Sequence, residues 1–210
     1  MTIHQKTIII FITLFSLTNL FSSSSSLANN GNDINGKNIS NRMKYLVQKH
    51  ASFILNWSFN PIIIKALKNR NMNPQSLKTI KKIDADWIKN DNLKLKKELQ
   101  TNEVGKFLKD KIINNQLYTE AFLCDKNGAI VGLYPVTTDY WQGDEDKFIK
   151  SYNSGQGTIF YGPLLYDKSA KTHSIQVSVP VKDWNETIGV LIFGIKNLRI
   201  RIKNNTQDTH

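Results

Sequence analysis

The chain has 210 residues, 28 Lys+Arg against 17 Asp+Glu, and one cysteine. That length admits one domain with a proper core plus a helical extension, and a single cysteine excludes an internal disulfide. The formal charge of +11 raises contact with nucleic acid or an anionic surface. The lysines, however, are spread through helical patterns without aromatic interleaving, so a solvated helix face is expected and no nucleic-acid partner.

The charge is unevenly placed. Residues 37–115 hold 17 basic against 6 acidic residues, whereas residues 116–196 hold 7 against 9. Arg199, Arg201 and Lys203 add a basic tail at 198–210.

The first 28 residues read as a secretory signal: MTIHQK, the apolar run TIIIFITLFSLTNLF, then SSSSSLA with Ser26-Leu27-Ala28 at its exit. Cleavage after Ala28 is expected. An uncleaved membrane anchor is the alternative, although the run is shorter than the about 20 apolar residues a bilayer core needs. A bacterial lipid anchor is excluded because Cys124 lies far from the signal. Export to the periplasm or the exterior follows. Residues 29–39 are polar and expected to be disordered.

In SNRMKYLVQKHASFILNWSF, Met43, Leu46, Val47, His50, Ile54 and Trp57 recur at spacings of three and four, predicting a long amphipathic helix. His50 on that stripe reads as a packed or rim histidine. Asn60-Pro61 breaks or kinks it, and PIIIKALKNRN restarts with Pro suited to a first turn. QSLKTIKKIDADWIKND predicts a further helix with Leu77, Ile80, Asp84, Trp87 and Ile88 on one face. NEVGKFLKDKIINN predicts another, with Val104, Phe107, Leu108 and Ile112 together.

Near residue 117 the period becomes strand-like. LYTEAFLC and AIVGLYP are joined by a short Asn-Gly turn. EDKFIKSYNSG reads as a short helix. Three strands follow, TIFYGPLLY, HSIQVSVPV and TIGVLIFGI, with hairpin turns DKSAK and KDWNE between them; Ile175, Val177, Val179 and Val181 share a face. The order predicts an α+β fold. Cys124, in an apolar run, is expected to be buried.

One strand connection, from Pro135 to Gly157, is long, and long connections in compact domains tend to carry function. It contains TTDYWQGDEDKF, with Asp139, Asp144, Glu145 and Asp146 around the Tyr140-Trp141 pair. The acids at 144–146 fall where a helix start favours carboxylates. Tyr and Trp suit the wall of a small-molecule pocket, and Asp139 suits a polar anchor. Phosphate-loop, Gly-x-Ser-x-Gly, His-Glu-x-x-His and Cys-x-x-Cys motifs are absent. The expectation is therefore a non-enzymatic protein without cofactor. A divalent-cation site on Asp139, Asp144 and Glu145 is the alternative, and a basic surface-binding protein a third reading.

CDKNGAIVGLYPVTTDYWQGDEDKF, GTIFYGPLLYD and QVSVPVKDWNETIGVLIFGI, in this order, resemble a single Cache domain, the PAS-like extracytoplasmic sensor fold. The resemblance spans residues 40–197, divided into a helical part, 40–115, and a sheet part, 116–197. It implies a long N-terminal helix packed on a five-stranded antiparallel sheet. A small polar metabolite would bind between the sheet and the connection after the second strand, against Asp139, Tyr140, Trp141, Gln142 and Asp144. Family members that bind amino acids usually place an Asp on the last strand; Gly194 stands near that position, which leaves the ligand class open. The sequence shows no transmitter segment, so a free-standing exported form is expected. It would report to a separate membrane-bound kinase, cyclase or chemoreceptor, with a homodimer through the N-terminal helix as a further expectation.

Overall fold

The computed structural model describes residues 39–167 and 172–197. The signal, the 29–38 segment, most of the DKSAK turn and the basic tail lie outside the described residues.

Helix α1 (Asn41–Ser58) opens where the Ser40 hydroxyl accepts from the Met43 amide at 3.2 Å. Its buried face is Met43, Val47, His50, Ala51 and Ile54, with Leu46 and Trp57 half-buried beside it. His50 is a packed histidine, hydrogen-bonded through Nδ1 to the Tyr118 hydroxyl. Asn60 then accepts from the Ile62 amide at 2.9 Å and Pro61 takes the first helical position. Asn60-Pro61 therefore ends one helix and starts another, α2 (Pro61–Met72), which buries Ile63 and Leu67.

Helix α3 (Leu77–Ile88), capped by Ser76, buries Ile80 and Trp87. Leu77 and Ile88, expected on the same face, are exposed. Both are terminal residues of α3, where the stripe runs past its partners. Helix α4 (Leu93–Thr101) has no counterpart in the sequence reading; its run LKLKKELQT buries only Leu99, too little to mark a face. In α5 (Glu103–Ile113) the Asn102 side chain accepts from Gly105 N at 2.7 Å and donates to Val131 O at 2.9 Å. One residue thus caps the helix and ties it to the sheet.

The sheet comprises β1 (Tyr118–Asp125), β2 (Ile130–Tyr134), β3 (Phe160–Asp167), β4 (Thr172–Asp183) and β5 (Glu186–Lys196), with α6 (Asp146–Tyr152) between β2 and β3. All pairings are antiparallel and the order is β2-β1-β5-β4-β3, a PAS-like sheet. The last strand is therefore the middle one.

Alternation of side chains splits the interior in two. Ala121, Leu123, Val177, Val179, Leu191 and Phe193 face one way and pack with the buried stripes of α1, α2 and α5. Phe122, Cys124, Ile130, Val190 and Ile192 face the other way, toward Ile80, Trp87, Tyr140 and Phe148. Nine consecutive residues of β5 are buried, which is what covering on both faces demands. Among the described residues no helix is long and apolar enough to cross a membrane.

Candidate functional site

The second face of the sheet is covered by α3, by α4 through Leu99, by α6 and by the 135–145 stretch between β2 and α6. That stretch is held at several points. Asp84 Oδ1 on α3 accepts from the amides of Tyr140 and Trp141 at 2.8 and 2.9 Å. Trp87 Nε1 donates to Thr137 O at 3.0 Å, and its ring lies 5.7 Å from that of Tyr140. Trp141 Nε1 donates to Asn127 O at 2.9 Å, and Gln142 N to Gly128 O at 2.9 Å.

Gly128, at φ +80°, approaches Gly143 so closely that a Cβ there would collide with the Gly143 backbone. The two glycines let the β1–β2 turn and the connection run in direct contact.

Beneath them lies a charged chain. Arg70 Nη2 donates to the Tyr140 hydroxyl at 2.6 Å, and that hydroxyl donates to Gln75 Oε1 at 3.0 Å. Arg70 Nε sits 3.4 Å from Asp125 Oδ2. Asp125 Oδ1 accepts from the amides of Asn127 and Ala129 at 2.8 and 3.1 Å, which shapes the turn. Burial raises the Asp125 carboxyl above its ordinary range, with those amides and Arg70 opposing. Burial also pushes the Tyr140 phenol up to about 12. Tyr140 is fully buried.

Between the connection and the sheet is a cavity of about 300 Å3. Its floor is Glu120 and Phe122 of β1 with Ser174 and Gln176 of β4; its lid is Thr137, Thr138, Asp139, Gln142, Glu145 and Lys147; its rim is Pro163, Leu165 and Tyr166 of β3. Gln176 Nε2 donates to Glu120 Oε1 at 2.7 Å. This bond reaches over β5 at Gly194, which pairs with Glu120 on one side and Gln176 on the other. A Cβ on Gly194 would meet Thr119 Oγ1 and Glu120 Cγ, so the glycine makes room for the pair.

In the lid, the Thr138 hydroxyl donates to Asp139 Oδ1 at 2.7 Å. The Asp139 carbonyl accepts from the Thr137 hydroxyl at 2.7 Å and from Gln142 Nε2 at 3.2 Å. Lys147 Nζ is 2.9 Å from Glu145 Oε2. Burial raises the Glu145 carboxyl, Lys147 opposes the rise, and the adjacent Asp139 carboxyl adds to it. Gln142 is fully buried, and its Oε1 has no hydrogen-bond partner among the described residues.

The structure thus places Asp139 and Gln142 at the cavity, and Tyr140, Trp141 and Asp144 outside its lining. Tyr140 and Trp141 anchor the lid from behind. Trp141 borders an open groove on the far side, with Lys81 Nζ 4.9 Å from its ring centre. Asp144 is exposed.

The cation reading on Asp139, Asp144 and Glu145 is not met by the geometry. Among the described residues no group of three such donors is placed to hold an ion, and Asp144 does not share the cavity lined by Asp139 and Glu145. Nor does Glu145 cap α6 with its side chain; one of its carboxylate oxygens, Oε2, is engaged by Lys147. Glu120 and Gln176 escaped the sequence reading. The signal for Glu120 was there, a lone carboxylate within the apolar run YTEAFLC.

No family model and no curated protein matches the chain. Solved structures of similar form include the sensor domain of the histidine kinase DctB from V. cholerae. It has 14% identity and a TM-score of 0.42, over 73% of this chain and 50% of that one. The ligand-binding domain of the Campylobacter jejuni chemoreceptor Tlp3, in complex with L-valine, has 19% identity and a TM-score of 0.35, over 75% of this chain and 64% of that one. The ligand-binding domain of Mlp24 with asparagine has 13% identity and a TM-score of 0.35, over 73% and 62%. The chain spans between half and just under two thirds of the length of these solved chains.

Proposed function

We propose that this protein is a non-enzymatic, exported sensor of the Cache type. It binds a small polar metabolite in the cavity between the sheet and the 137–147 lid, and signals through a separate membrane-bound kinase, cyclase or chemoreceptor. The observation that carries the reading is Gln142 Oε1, a buried acceptor without a partner among the described residues, in the residue that roofs the cavity. Buried polar groups are almost always hydrogen-bonded, and an orphan beside a cavity points to a guest that completes it. The enclosure is suited to the role: apolar Phe122, Pro163 and Leu165 supply area and a few fixed polar groups supply orientation. The lid is the element through which occupancy would be felt, because it is tied to α3 through Asp84 and to the β1–β2 turn through Trp141.

A thermal-shift screen of metabolites tests the reading. A ligand present at 100 times its Kd adds about 2.7 kcal/mol of stability. That gain should vanish in Gln142→Leu and in Phe122→Ala. A stabilising compound whose effect survives both changes would place its site elsewhere and refute the assignment.

A further inference from the structure

The hydrogen-bonding state of the cavity's polar groups specifies the kind of molecule that fits it. Among the described residues its charged lining is three carboxylates, Glu120, Asp139 and Glu145, against one cation, Lys147. This acidic lining sits in a chain of net charge +11. The cation is already committed, since Lys147 lies 2.9 Å from Glu145 Oε2.

Three of the other donors are committed as well. Gln176 Nε2 is given to Glu120, the Thr138 hydroxyl to Asp139 Oδ1, and the Thr137 hydroxyl to Asp139 O. The orientation of the Gln142 amide is settled by its own contact. The atom 3.2 Å from the Asp139 carbonyl must be the nitrogen, so the buried unpaired atom is the oxygen, an acceptor. Beside the Ser174 and Tyr166 hydroxyls, what the cavity has left to offer is mainly acceptors. The Asp139 and Glu145 carboxyls lie side by side, a contact relieved by a proton or by a cation placed between them.

Resting on the reading of this cavity as a ligand site, we infer that its ligand is a small organic cation. Its ammonium N–H groups donate to Gln142 Oε1 and to the Asp139 and Glu145 carboxylates, and its carbon skeleton packs on Phe122 and Leu165. A ligand that binds through its own carboxylate is disfavoured: it would face two or more like charges and find the lining lysine occupied. The volume of about 300 Å3 equals that of roughly ten water molecules, which limits the ligand to a short amine or diamine.

The purified chain is titrated calorimetrically at neutral pH with propylamine, ethanolamine and diaminobutane, against acetate, succinate and butanediol as shape-matched anionic and neutral probes. At least one amine should bind and the matched diol and diacid should not. Asp139→Asn and Glu145→Gln should each weaken amine binding about tenfold or more, the effect expected of a lost charge-assisted contact. Leu165→Lys, at an exposed rim position, places a positive charge at the mouth without touching the core. It should weaken amine binding several-fold even if the lid variants fold poorly.

No binding by any of the amines up to about 10 mM, well past millimolar affinity, refutes the inference. Binding of succinate or butanediol that Phe122→Ala abolishes overturns the cationic class and leaves the cavity as the site. Amine binding unchanged in Asp139→Asn, Glu145→Gln and Leu165→Lys removes both the inference and the site beneath it.

Discussion

Asp84 is the residue whose removal tests how the lid is held. One carboxylate oxygen accepts from two successive backbone amides, Tyr140 at 2.8 Å and Trp141 at 2.9 Å. Tyr140 is fully buried, so its amide has no water to turn to when the acceptor goes. Its bond to a charged acceptor carries the upper part of the range for such contacts, about 2–3 kcal/mol. Trp141 is half-buried, and solvent can partly replace its partner, so that bond is assigned about 1 kcal/mol. Asp84→Ala should therefore cost about 3–4 kcal/mol. Asp84→Asn keeps an oxygen in place and loses only the charge, so its cost should be about 1 kcal/mol. With a urea slope of about 2 kcal/mol/M, the Ala midpoint should fall by about 1.5–2 M and the Asn midpoint by about 0.5 M. Amide hydrogen exchange adds a local readout: the Tyr140 and Trp141 amides should exchange fast in Asp84→Ala and stay protected in Asp84→Asn. Equal losses for Ala and Asn, or a loss under about 1 kcal/mol for Ala, would show that α3 does not hold the lid.

Other changes separate the roles of neighbouring residues. Trp87→Ala removes a fully buried ring and orphans the Thr137 carbonyl; calorimetric or denaturant unfolding should register a loss of about 3–5 kcal/mol. Tyr140, pushed up to about 12 from 10, keeps its proton in the folded state at pH values where the unfolded chain has lost it. Its contribution is thus complete below pH 10 and declines by about 1.4 kcal/mol per pH unit up to about 12. Tyr140→Phe should reduce by that amount the slope found in urea titrations run across this window, leaving the part due to the other buried phenols such as Tyr118, and an unchanged slope would contradict the burial of the Tyr140 phenol. Gly194→Ala forces a methyl against Thr119 and Glu120; a stability loss of about 1–3 kcal/mol is expected, with weakened binding of any cavity ligand. Asp144→Ala, at an exposed position outside the cavity, should alter stability by no more than about 0.5 kcal/mol and spare ligand affinity.

What could be read from the chain alone follows from periodicity and local chemistry. The three-and-four spacing of Met43, Val47, His50 and Ile54 is a property of one segment, and so is the alternation of Ile175, Val177, Val179 and Val181; both gave elements that the structure contains. The Asn-Gly turn and the Asn60-Pro61 boundary are equally local. Residues Leu93–Thr101 escaped detection because a helix that buries one leucine carries almost no periodic signal. The long connection stood out by its length and composition, yet which of its residues line the cavity did not. Tyr140 and Trp141 have the composition of a pocket wall. They became lid anchors because Asp84, 56 and 57 residues earlier, meets their amides, and because Arg70, 70 residues before Tyr140, meets its hydroxyl. Glu120 and Gln176 form the cavity floor only because β5, last in sequence, inserts between β1 and β4 and presents Gly194 between them. Side-chain period is written in neighbouring residues. Which strand lies beside which, and which way a loop residue turns, is decided by contacts between segments far apart in the chain, and those exist only once the whole has packed.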